Sequence, residues 1–237
     1  IPWMVGLLLL GGLQGFVGWY MVQSGLVDRV DVSQYRLALH LSIAFLILGL
    51  LVWCFLTLAR RTQPVTLTTL SSRTLVIAGG LLALVFAQVA LGAFVAGTKA
   101  GVNYNTWPLM DGEFVPAGLF DMTPLWINAV ENVTMIQFNH RMTAYLLVIA
   151  VTVHAAIVWR RTDAHDAANS ALALAVAVWL QAVTGIWTLL AAEGAIPIGL
   201  GLVHQGGAAI VLTIAVWHWH AVWRDVVHRP ANLWRAA

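Results

Sequence analysis

Residues 34–58 read QYRLALHLSIAFLILGLLVWCFLTL, an almost unbroken apolar run with one histidine, His40, close to its beginning. A helix of about 20 residues crosses the roughly 30 Å hydrocarbon core of a bilayer, and this run exceeds that length. An imidazole inside such a segment is costly unless a partner occupies it. The stretch therefore predicts a transmembrane helix that carries a functional side chain.

The rest of the chain follows the same pattern. Of its 237 residues, 60% are hydrophobic and 9% are charged, whereas about one quarter of a soluble domain is charged. We predict an all-α polytopic membrane protein with six transmembrane helices near residues 2–24, 34–58, 73–97, 136–159, 169–192 and 197–223. The net charge of +2 gives no reason to expect a nucleic-acid partner, and the single cysteine, Cys54, excludes an internal disulfide.

The basic residues predict the orientation of these helices. One side of the predicted topology holds Arg60, Arg61, Arg73, Arg160, Arg161, Arg224, Arg229 and Arg235. The loops on the other side hold only Arg29 and Lys99. Because positive charge is retained inside, we expect both termini on the cytoplasmic side or, in a mitochondrion, on the matrix side.

The predicted outer side carries one long connection, from about residue 98 to 135. A loop of this length without regular structure is usually either functional or disordered. We expect its Trp107, Phe114 and Trp126 to pack at the membrane interface, and a lid over a buried ligand is the alternative.

An internal repeat relates the beginning and the end of the chain. LQGFVGWYMVQSG in the first helix resembles LQAVTGIWTLLAAEG in the fifth, and the second and sixth helices each carry a histidine, His40 and His204. Helices three and four then have no counterpart. This pattern fits a duplicated four-plus-four protein that lacks its first two helices here. The absent pair should contain a fourth histidine that matches His140.

Three histidines, His40, His140 and His204, lie at one depth near the predicted outer ends of their helices. Haem iron takes histidine as an axial ligand, and two imidazoles on different helices can hold it between them. We expect His140 and His204 to do so, as neighbours on antiparallel helices. A single histidine at such a position could instead bond a backbone carbonyl or lie among the headgroups, but three at one depth favour haem.

Two arginines accompany these histidines. Arg141 follows His140 directly, and Arg36 lies one turn before His40. A guanidinium recognises carboxylates such as haem propionates, although both side chains could instead extend to the interface. Gly206 and Gly207 would let a flat macrocycle or a neighbouring helix approach closely.

The other histidines and three glutamines are interpreted as structural. We expect local hydrogen bonds or interfacial positions for His154, His218, His220, His165 and His228. A second haem that uses His154 with His218 or His220 is the alternative. The glutamines, which have glycines nearby, are expected to serve helix packing; they are Gln14, Gln88 and Gln181.

Several runs together resemble haem A synthase, in particular the cysteine-poor type of proteobacteria and mitochondria. They are GLQGFVGWYMVQSGL, YRLALHLSIAF, GAFVAGTKAGVNYNTWPLMDGEFVP, ENVTMIQFNHRMTAYLL and VHQGGAAIVL. The resemblance implies an eight-helix protein with two pseudo-symmetric halves, of which this chain holds the last six helices. It implies oxidation of a ring methyl of haem O to a formyl group, which gives haem A for cytochrome oxidase.

The resemblance also implies a role for each half. A b-type haem would lie between His140 and His204, and the substrate haem O would bind at His40, the residue we expect to be catalytic. The partner histidine and a glutamate of that second site belong to a helix that this chain lacks. The chain as it stands is therefore expected to be inactive. A thiol-based electron route is not expected, since residues 98–135 contain no cysteine.

On this resemblance the chain divides into four parts. Residues 1–60 are the remainder of the substrate half, 61–72 a cytoplasmic linker, 73–224 the half that binds b-type haem, and 225–237 a cytoplasmic tail. The expected location is the bacterial cell inner membrane or the mitochondrial inner membrane. The expected partners are haem O synthase, the terminal oxidase assembly, an unidentified electron donor or acceptor, and lipid.

Two other functions fit the residues. A bis-histidine b-type cytochrome that acts only as an electron carrier would show the same histidine pattern and would leave haem O unchanged. A transporter or assembly factor built on a duplicated bundle is the other. Transporters often have inverted repeats with sites near the midplane, whereas the four-helix repeat here keeps one orientation and places its polar residues at one outer level.

Overall fold

The computed structural model describes residues 2–25, 32–60, 70–162 and 165–227. Its helices are α1 (Pro2–Gly25), α2 (Gln34–Ala59), α3 (Ser72–Gly97), α4 (Ala100–Asn103), α5 (Asn128–Glu131), α6 (Val133–Arg161), α7 (His165–Leu190) and α8 (Ile198–Val227). Six of these, all except the short α4 and α5, are long and apolar enough to span a membrane. The predicted all-α fold class and its six spans are confirmed.

Side chains on the outward faces of these helices are apolar. Leu8, Phe55, Ile149 and Leu180 expose between 62% and 75% of their surface. Large apolar side chains exposed at this frequency would associate in water, whereas the hydrocarbon core of a bilayer accommodates them. Together with the spans, they make the chain an integral membrane protein.

The capping of α6 explains why that helix begins before its predicted start. The side chain of Asn132 accepts hydrogen bonds from the backbone N–H groups of Thr134 at 3.0 Å and Met135 at 3.3 Å. An asparagine at this position satisfies donors that a helix start otherwise leaves free. At the other end, Arg160 and Arg161 lie in the last turn, where positive charge complements the helix dipole.

Helices α3, α6, α7 and α8 form a four-helix bundle, in which α3 packs on α6, α6 on α7, α7 on α8 and α8 on α3. Each helix contributes a buried side chain to the core: Val85, Val151, Leu174 and Leu212. Helix α2 packs against both α3 and α8, and α1 packs against α2. The α1–α2 pair is thus attached to one side of the bundle.

This packing corrects the expected relation of α6 and α8. They occupy opposite corners of the bundle, with α3 and α7 between them. Because successive spans alternate in direction, α6 and α8 run parallel to each other. The prediction that His140 and His204 lie on antiparallel neighbours is therefore wrong, and the two imidazoles lie on parallel helices at opposite corners of the bundle.

Residues 98–132 connect α3 to α6 at one end of the bundle, which we call the loop end. Asn128 is fully buried, and its side-chain amide donates to the carbonyls of Met122 at 2.8 Å and Leu125 at 3.0 Å. Asn132 Nδ2 donates to the carbonyl of Gly118 at 2.7 Å. The connection is thus a folded cap that contains α4, a 3-10 helix (Leu125–Ile127) and α5, and not an irregular loop.

The aromatic residues of this cap are exposed. Trp107, Phe114 and Trp126 expose 43%, 60% and 70% of their surface. Such exposure is compatible with a position at the membrane interface, which stays a prediction, as does the alternative of a lid.

Some predicted features lie outside the described residues. They are Arg29, Arg61, Arg229, Arg235, His228, most of the linker 61–72, and the tail from residue 228 onward.

Candidate functional site

His140 lies on α6, two turns from its start at the loop end, and its imidazole contacts α3. Gln88 Nε2 lies 3.1 Å from His140 Nδ1 and 3.3 Å from Nε2, and it donates to the His140 carbonyl at 3.0 Å. A Cβ added at Gly92, one turn after Gln88, would lie 3.1 Å from His140 Cε1. The absence of a side chain at Gly92 therefore allows the His140 ring to pack against α3.

His204 has the same surroundings on α8. Gln181 Nε2 of α7 lies 3.0 Å from His204 Nδ1 and donates to the His204 carbonyl at 2.7 Å. Thr184 Oγ1 lies 3.3 Å from the same ring nitrogen. A Cβ at Gly185 would lie 2.8 Å from His204 Cε1, a distance that real side chains do not adopt.

His40 on α2 has a simpler version of this arrangement. Gln14 Nε2 of α1 lies 3.2 Å from His40 Nε2, and a Cβ at Gly18 would lie 2.9 Å from His40 Cε1. The His40 Nδ1 atom and the Gln14 Oε1 atom are buried without a hydrogen-bond partner.

The three sites are therefore copies of one unit. A glutamine and a glycine four residues later lie on one long helix, and the histidine lies on the next: Gln14, Gly18 and His40; Gln88, Gly92 and His140; Gln181, Gly185 and His204. The interpretation of the glutamines as packing residues alone was incomplete, because each also contacts an imidazole. The motif Q-x-x-x-G before each histidine helix is the signal that sequence reasoning missed. The same motif on α3, with its histidine on α6, relates the third and fourth spans to the other two helix pairs, a relation that the sequence comparison did not find.

The structure brings two of the three predicted ligands together. His140 and His204 lie at the same end of the four-helix bundle, on helices at opposite corners. His40 lies apart from them, in the α1–α2 pair. Among the described residues there is no group of three or more His, Cys, Asp or Glu side chains placed to hold a metal ion. A pair of imidazoles suits haem, since the macrocycle itself supplies the other ligands to iron.

Arg141 is buried and holds the cap at the loop end. Its Nη1 atom donates to the carbonyl of Thr106 at 2.9 Å, and its Nη2 atom donates to the carbonyl of Tyr104 at 2.8 Å. Gln137 Nε2, one turn earlier on α6, also donates to the Tyr104 carbonyl at 2.9 Å. The Arg141 Nε atom is buried without a hydrogen-bond partner. Most of the guanidinium is therefore engaged by backbone, and Nε remains as a donor for a ligand.

Arg36 and the two glycines after His204 occupy different surroundings. The guanidinium of Arg36 lies over the ring of Tyr20, with 4.6 Å between Cζ and the ring centroid, an arrangement typical of a cation–π contact. A Cβ at Gly207 would overlap the side chain of Gln181, whereas one at Gly206 would meet nothing within 4 Å. Gly207 thus allows a close helix contact, and Gly206 faces open space.

The histidines at the opposite end of the bundle are engaged with each other. His154 Nε2 and His218 Nε2 are 2.8 Å apart, and His218 Nδ1 lies 3.0 Å from Ser170 Oγ. At metal–nitrogen distances of about 2.0 Å, two imidazoles on opposite sides of an iron stand about 4 Å apart. The expectation of local hydrogen bonds is confirmed for this pair, and the arrangement does not fit a second haem. His220 lies 3.3 Å from Thr57 Oγ1.

The fold and these sites define a class: integral membrane helical bundles with half-buried imidazoles held between pairs of adjacent helices. The chain belongs to the COX15-CtaA family, described as cytochrome oxidase assembly protein, whose sequence model matches residues 1–216.

Relatives named "Heme A synthase" are similar to most of the chain. The protein of Parvibaculum lavamentivorans is 51% identical over 220 residues, which cover 93% of this chain and 61% of the relative. The protein of Bradyrhizobium diazoefficiens is 49% identical over 217 residues, which cover 89% and 57%. That of Rhizobium meliloti is 45% identical over 216 residues, which cover 91% and 57%. The chain thus spans about 60% of the length of these curated relatives, and the predicted family is confirmed.

Proposed function

We propose that the protein acts as a haem A synthase, an oxidoreductase that converts a ring methyl of haem O to a formyl group. The family and the names of its relatives support this reaction. The observation that carries the proposal is the placement of His140 and His204 on opposite corners of one bundle, at the same end as His40. Haem A made in this way would serve cytochrome oxidase.

The residues of the bundle fit a b-type haem. Imidazoles on parallel, diagonal helices can approach a macrocycle from both of its faces, and Gly206, two residues after His204, leaves open space on α8. The buried, unpartnered Arg141 Nε is a donor suited to a propionate. Residues 73–224 would therefore form the half that binds this haem, with His140 and His204 as ligands. When bound, such a haem supplies one-electron transfer.

His40 would bind the iron of the substrate, and residues 1–60 would contribute the rest of this chain's part of the substrate site. Arg36, held over Tyr20 one turn from His40, would pair with a substrate propionate. The protein's contribution is to orient the macrocycle so that one methyl faces the loop end. The oxidation of a methyl to a formyl group removes four electrons and adds one oxygen atom, so it needs an electron acceptor and a source of oxygen, water or dioxygen, from outside the chain.

The proposed location is the bacterial inner membrane, or the mitochondrial inner membrane in a eukaryotic relative. Arg60, Arg73, Arg160, Arg161 and Arg224 lie at the helix ends opposite the loop end. Positive charge is retained inside, so the loop end would face outward and both termini inward. A haem O synthase would supply the substrate, and terminal oxidase assembly would consume the product.

The test uses the complete gene, co-expressed with a haem O synthase in a host that makes no haem A. Haems are extracted from the membranes and separated by chromatography with mass detection. We expect haem A in this strain and its loss on His40→Ala, while His165→Ala, an exposed histidine at the opposite end, serves as the matched control. Haem B bound to the protein with haem O left unchanged would instead indicate an electron carrier.

A further inference from the structure

Three glutamines have no part in the reaction described so far, yet each contacts one of the proposed ligands. Gln14, Gln88 and Gln181 lie within hydrogen-bond distance of the rings of His40, His140 and His204. We propose that these glutamines are positioning residues, each of which orients one imidazole and accepts a hydrogen bond from the ring N–H that does not face iron. This inference rests on the proposed function.

A histidine that binds a metal through one ring nitrogen almost always donates a hydrogen bond from the N–H of the other ring nitrogen to an acceptor. Such acceptors are scarce between transmembrane helices, because backbone carbonyls are already bonded within the helix. Gln181 Nε2 lies 3.0 Å from His204 Nδ1, and Gln88 Nε2 lies 3.1 Å from His140 Nδ1. The glutamine amide on the neighbouring helix is therefore the group in position to serve each ring.

In this structure the amide nitrogen of each glutamine faces the ring, and the acceptor role needs the other orientation of the amide. The amide oxygens of Gln14 and Gln88 are buried and have no hydrogen-bond partner, which is costly for an acceptor. Rotation about the terminal torsion of the side chain exchanges the amide nitrogen and oxygen without moving either helix. In that orientation the oxygen faces a ring N–H and gains a partner. At Gln88 and Gln181 this exchange replaces the bond that Nε2 donates to the histidine carbonyl before haem binds, whereas at Gln14 no such bond is lost.

The glycines explain why the contact is so close. Gly18, Gly92 and Gly185 each lie one turn after the glutamine, and a Cβ at any of them would come within 2.8 to 3.1 Å of a histidine Cε1. The glycine thus lets the ring lie against the helix that carries the glutamine. The same spacing at three places indicates one device for holding an imidazole.

The units differ in how firmly they hold the ring. Gln88 and Gln181 also donate to the carbonyl of their histidine, at 3.0 and 2.7 Å, and Thr184 adds a second contact to His204. Gln14 contacts His40 only through the ring. His140 and His204 are therefore held in place before haem arrives, as suits a resident haem. His40 is held more loosely, as suits a substrate that must leave.

The test measures the midpoint potential and the low-spin electron paramagnetic resonance spectrum of the haem in purified full-length protein. A stronger acceptor makes an imidazole more basic and stabilises ferric iron. We expect Gln181→Glu to lower the potential and Gln181→Leu to raise it, with the same order at Gln88. Thr184→Val should raise it less than Gln181→Leu.

Gln137→Leu is the matched control. Gln137 is buried one turn before His140, and its amide donates to the Tyr104 carbonyl and not to a ring. We expect the haem in Gln137→Leu to have the same midpoint potential as the haem in the wild type. If Gln181→Leu does not accumulate, the nearly isosteric Gln181→Glu decides the question.

Two failures are distinguishable. Glu and Leu variants with the potential and spectrum of the wild type would overturn the positioning role and leave the proposed function standing. A wild-type protein that binds no haem would refute the proposed function itself. For Gln14, a Leu variant should weaken haem O binding several-fold while the resident haem keeps its spectrum, and unchanged haem O binding would contradict the role at that unit.

Discussion

The four-helix bundle and the α1–α2 pair contain the same local unit in two different settings. In the bundle, His140 and His204 lie on opposite corners, and each glutamine contacts both the ring and the backbone of its histidine. In the α1–α2 pair, His40 has one glutamine contact, and α1 exposes 75% of Leu8 and 60% of Phe16. The comparison teaches that the local motif positions an imidazole in both settings, whereas only in the bundle does the glutamine also bond the backbone of its histidine.

The largest expected effect is the loss of bound haem, and it should distinguish the four-helix bundle from the α1–α2 pair. His204→Ala or His140→Ala removes a proposed haem ligand, so the full-length protein should lose its low-spin haem almost completely. His40→Ala should keep that haem and lose product formation. The haem-to-protein ratio and the absorption spectrum of purified variants measure the difference. Loss of the resident haem in His40→Ala, with retention in His204→Ala, would contradict the assignment of that haem to the four-helix bundle.

Adding a methyl group to one helix face should disturb one site at a time. Gly185→Ala places a Cβ 2.8 Å from His204 Cε1, so the ring must shift, at a cost of about 1–3 kcal/mol. Gly18→Ala should do the same at His40 and leave the resident haem unchanged. Thermal unfolding in detergent and the haem spectrum report these effects.

Two glycines provide the controls for that experiment. Cβ atoms at Gly80 on α3 and Gly15 on α1 would meet nothing within 4 Å. Alanine at either position should be neutral or stabilise the helix by up to about 1 kcal/mol. If Gly80→Ala lowers the unfolding temperature and changes the haem spectrum as much as Gly185→Ala does, the glycine spacing that recurs three times in this chain serves helix packing in general and not contact with the imidazole.

Loss of Arg141 should loosen the cap of the bundle. Arg141→Gln removes the bonds to the carbonyls of Tyr104 and Thr106. The Tyr104 carbonyl keeps the bond from Gln137, so the main loss is the charged bond to the Thr106 carbonyl, about 1–3 kcal/mol. We expect faster proteolysis within residues 104–113, measured by limited digestion of the protein in detergent. Arg160→Gln, an exposed arginine at the other end of α6, should digest like the wild type. Equal digestion of both variants would show that Arg141 does not secure the cap.

The smallest effect is expected at the end opposite the loop end. Ser170→Ala removes the hydroxyl that lies 3.0 Å from His218 Nδ1, which should lower the unfolding free energy by about 1 kcal/mol. The haem spectrum and potential should not change, because this cluster lies away from His140 and His204. A shifted spectrum in Ser170→Ala would show that the two ends of the bundle are coupled.

Much of the fold could be predicted because a bilayer permits few solutions. An apolar run with no water to bond its backbone must form a helix, so the six spans were found within a few residues of their observed ends. The start of α6 was missed by three residues because its cap, Asn132, acts through side-chain hydrogen bonds. Likewise, the folding of residues 98–132 depends on hydrogen bonds of buried amides such as Asn128. Such bonds leave no periodic pattern in the sequence, so they could not be predicted from it.

The third copy of the unit was missed for a reason that lies in the chain order. Gln14 and His40 are 26 residues apart and Gln181 and His204 are 23 apart, but Gln88 and His140 are 52 apart because the cap is inserted between their helices. A comparison of the glutamine–histidine spacings therefore does not identify the α3–α6 pair. The structure identifies it, because α3 and α6 pack against each other.

The sequence by itself determined the class of protein, the six spans, the family and the three histidines, because hydrophobic length and residue type are local properties. Only the tertiary structure decided which histidines meet, since the corner that each helix occupies depends on the packing of all the helices together. It placed α6 diagonally from α8, joined each glutamine to a ring, and turned Arg141 toward the cap. These relations arise between residues far apart in the chain, where neither periodicity nor propensity constrains them.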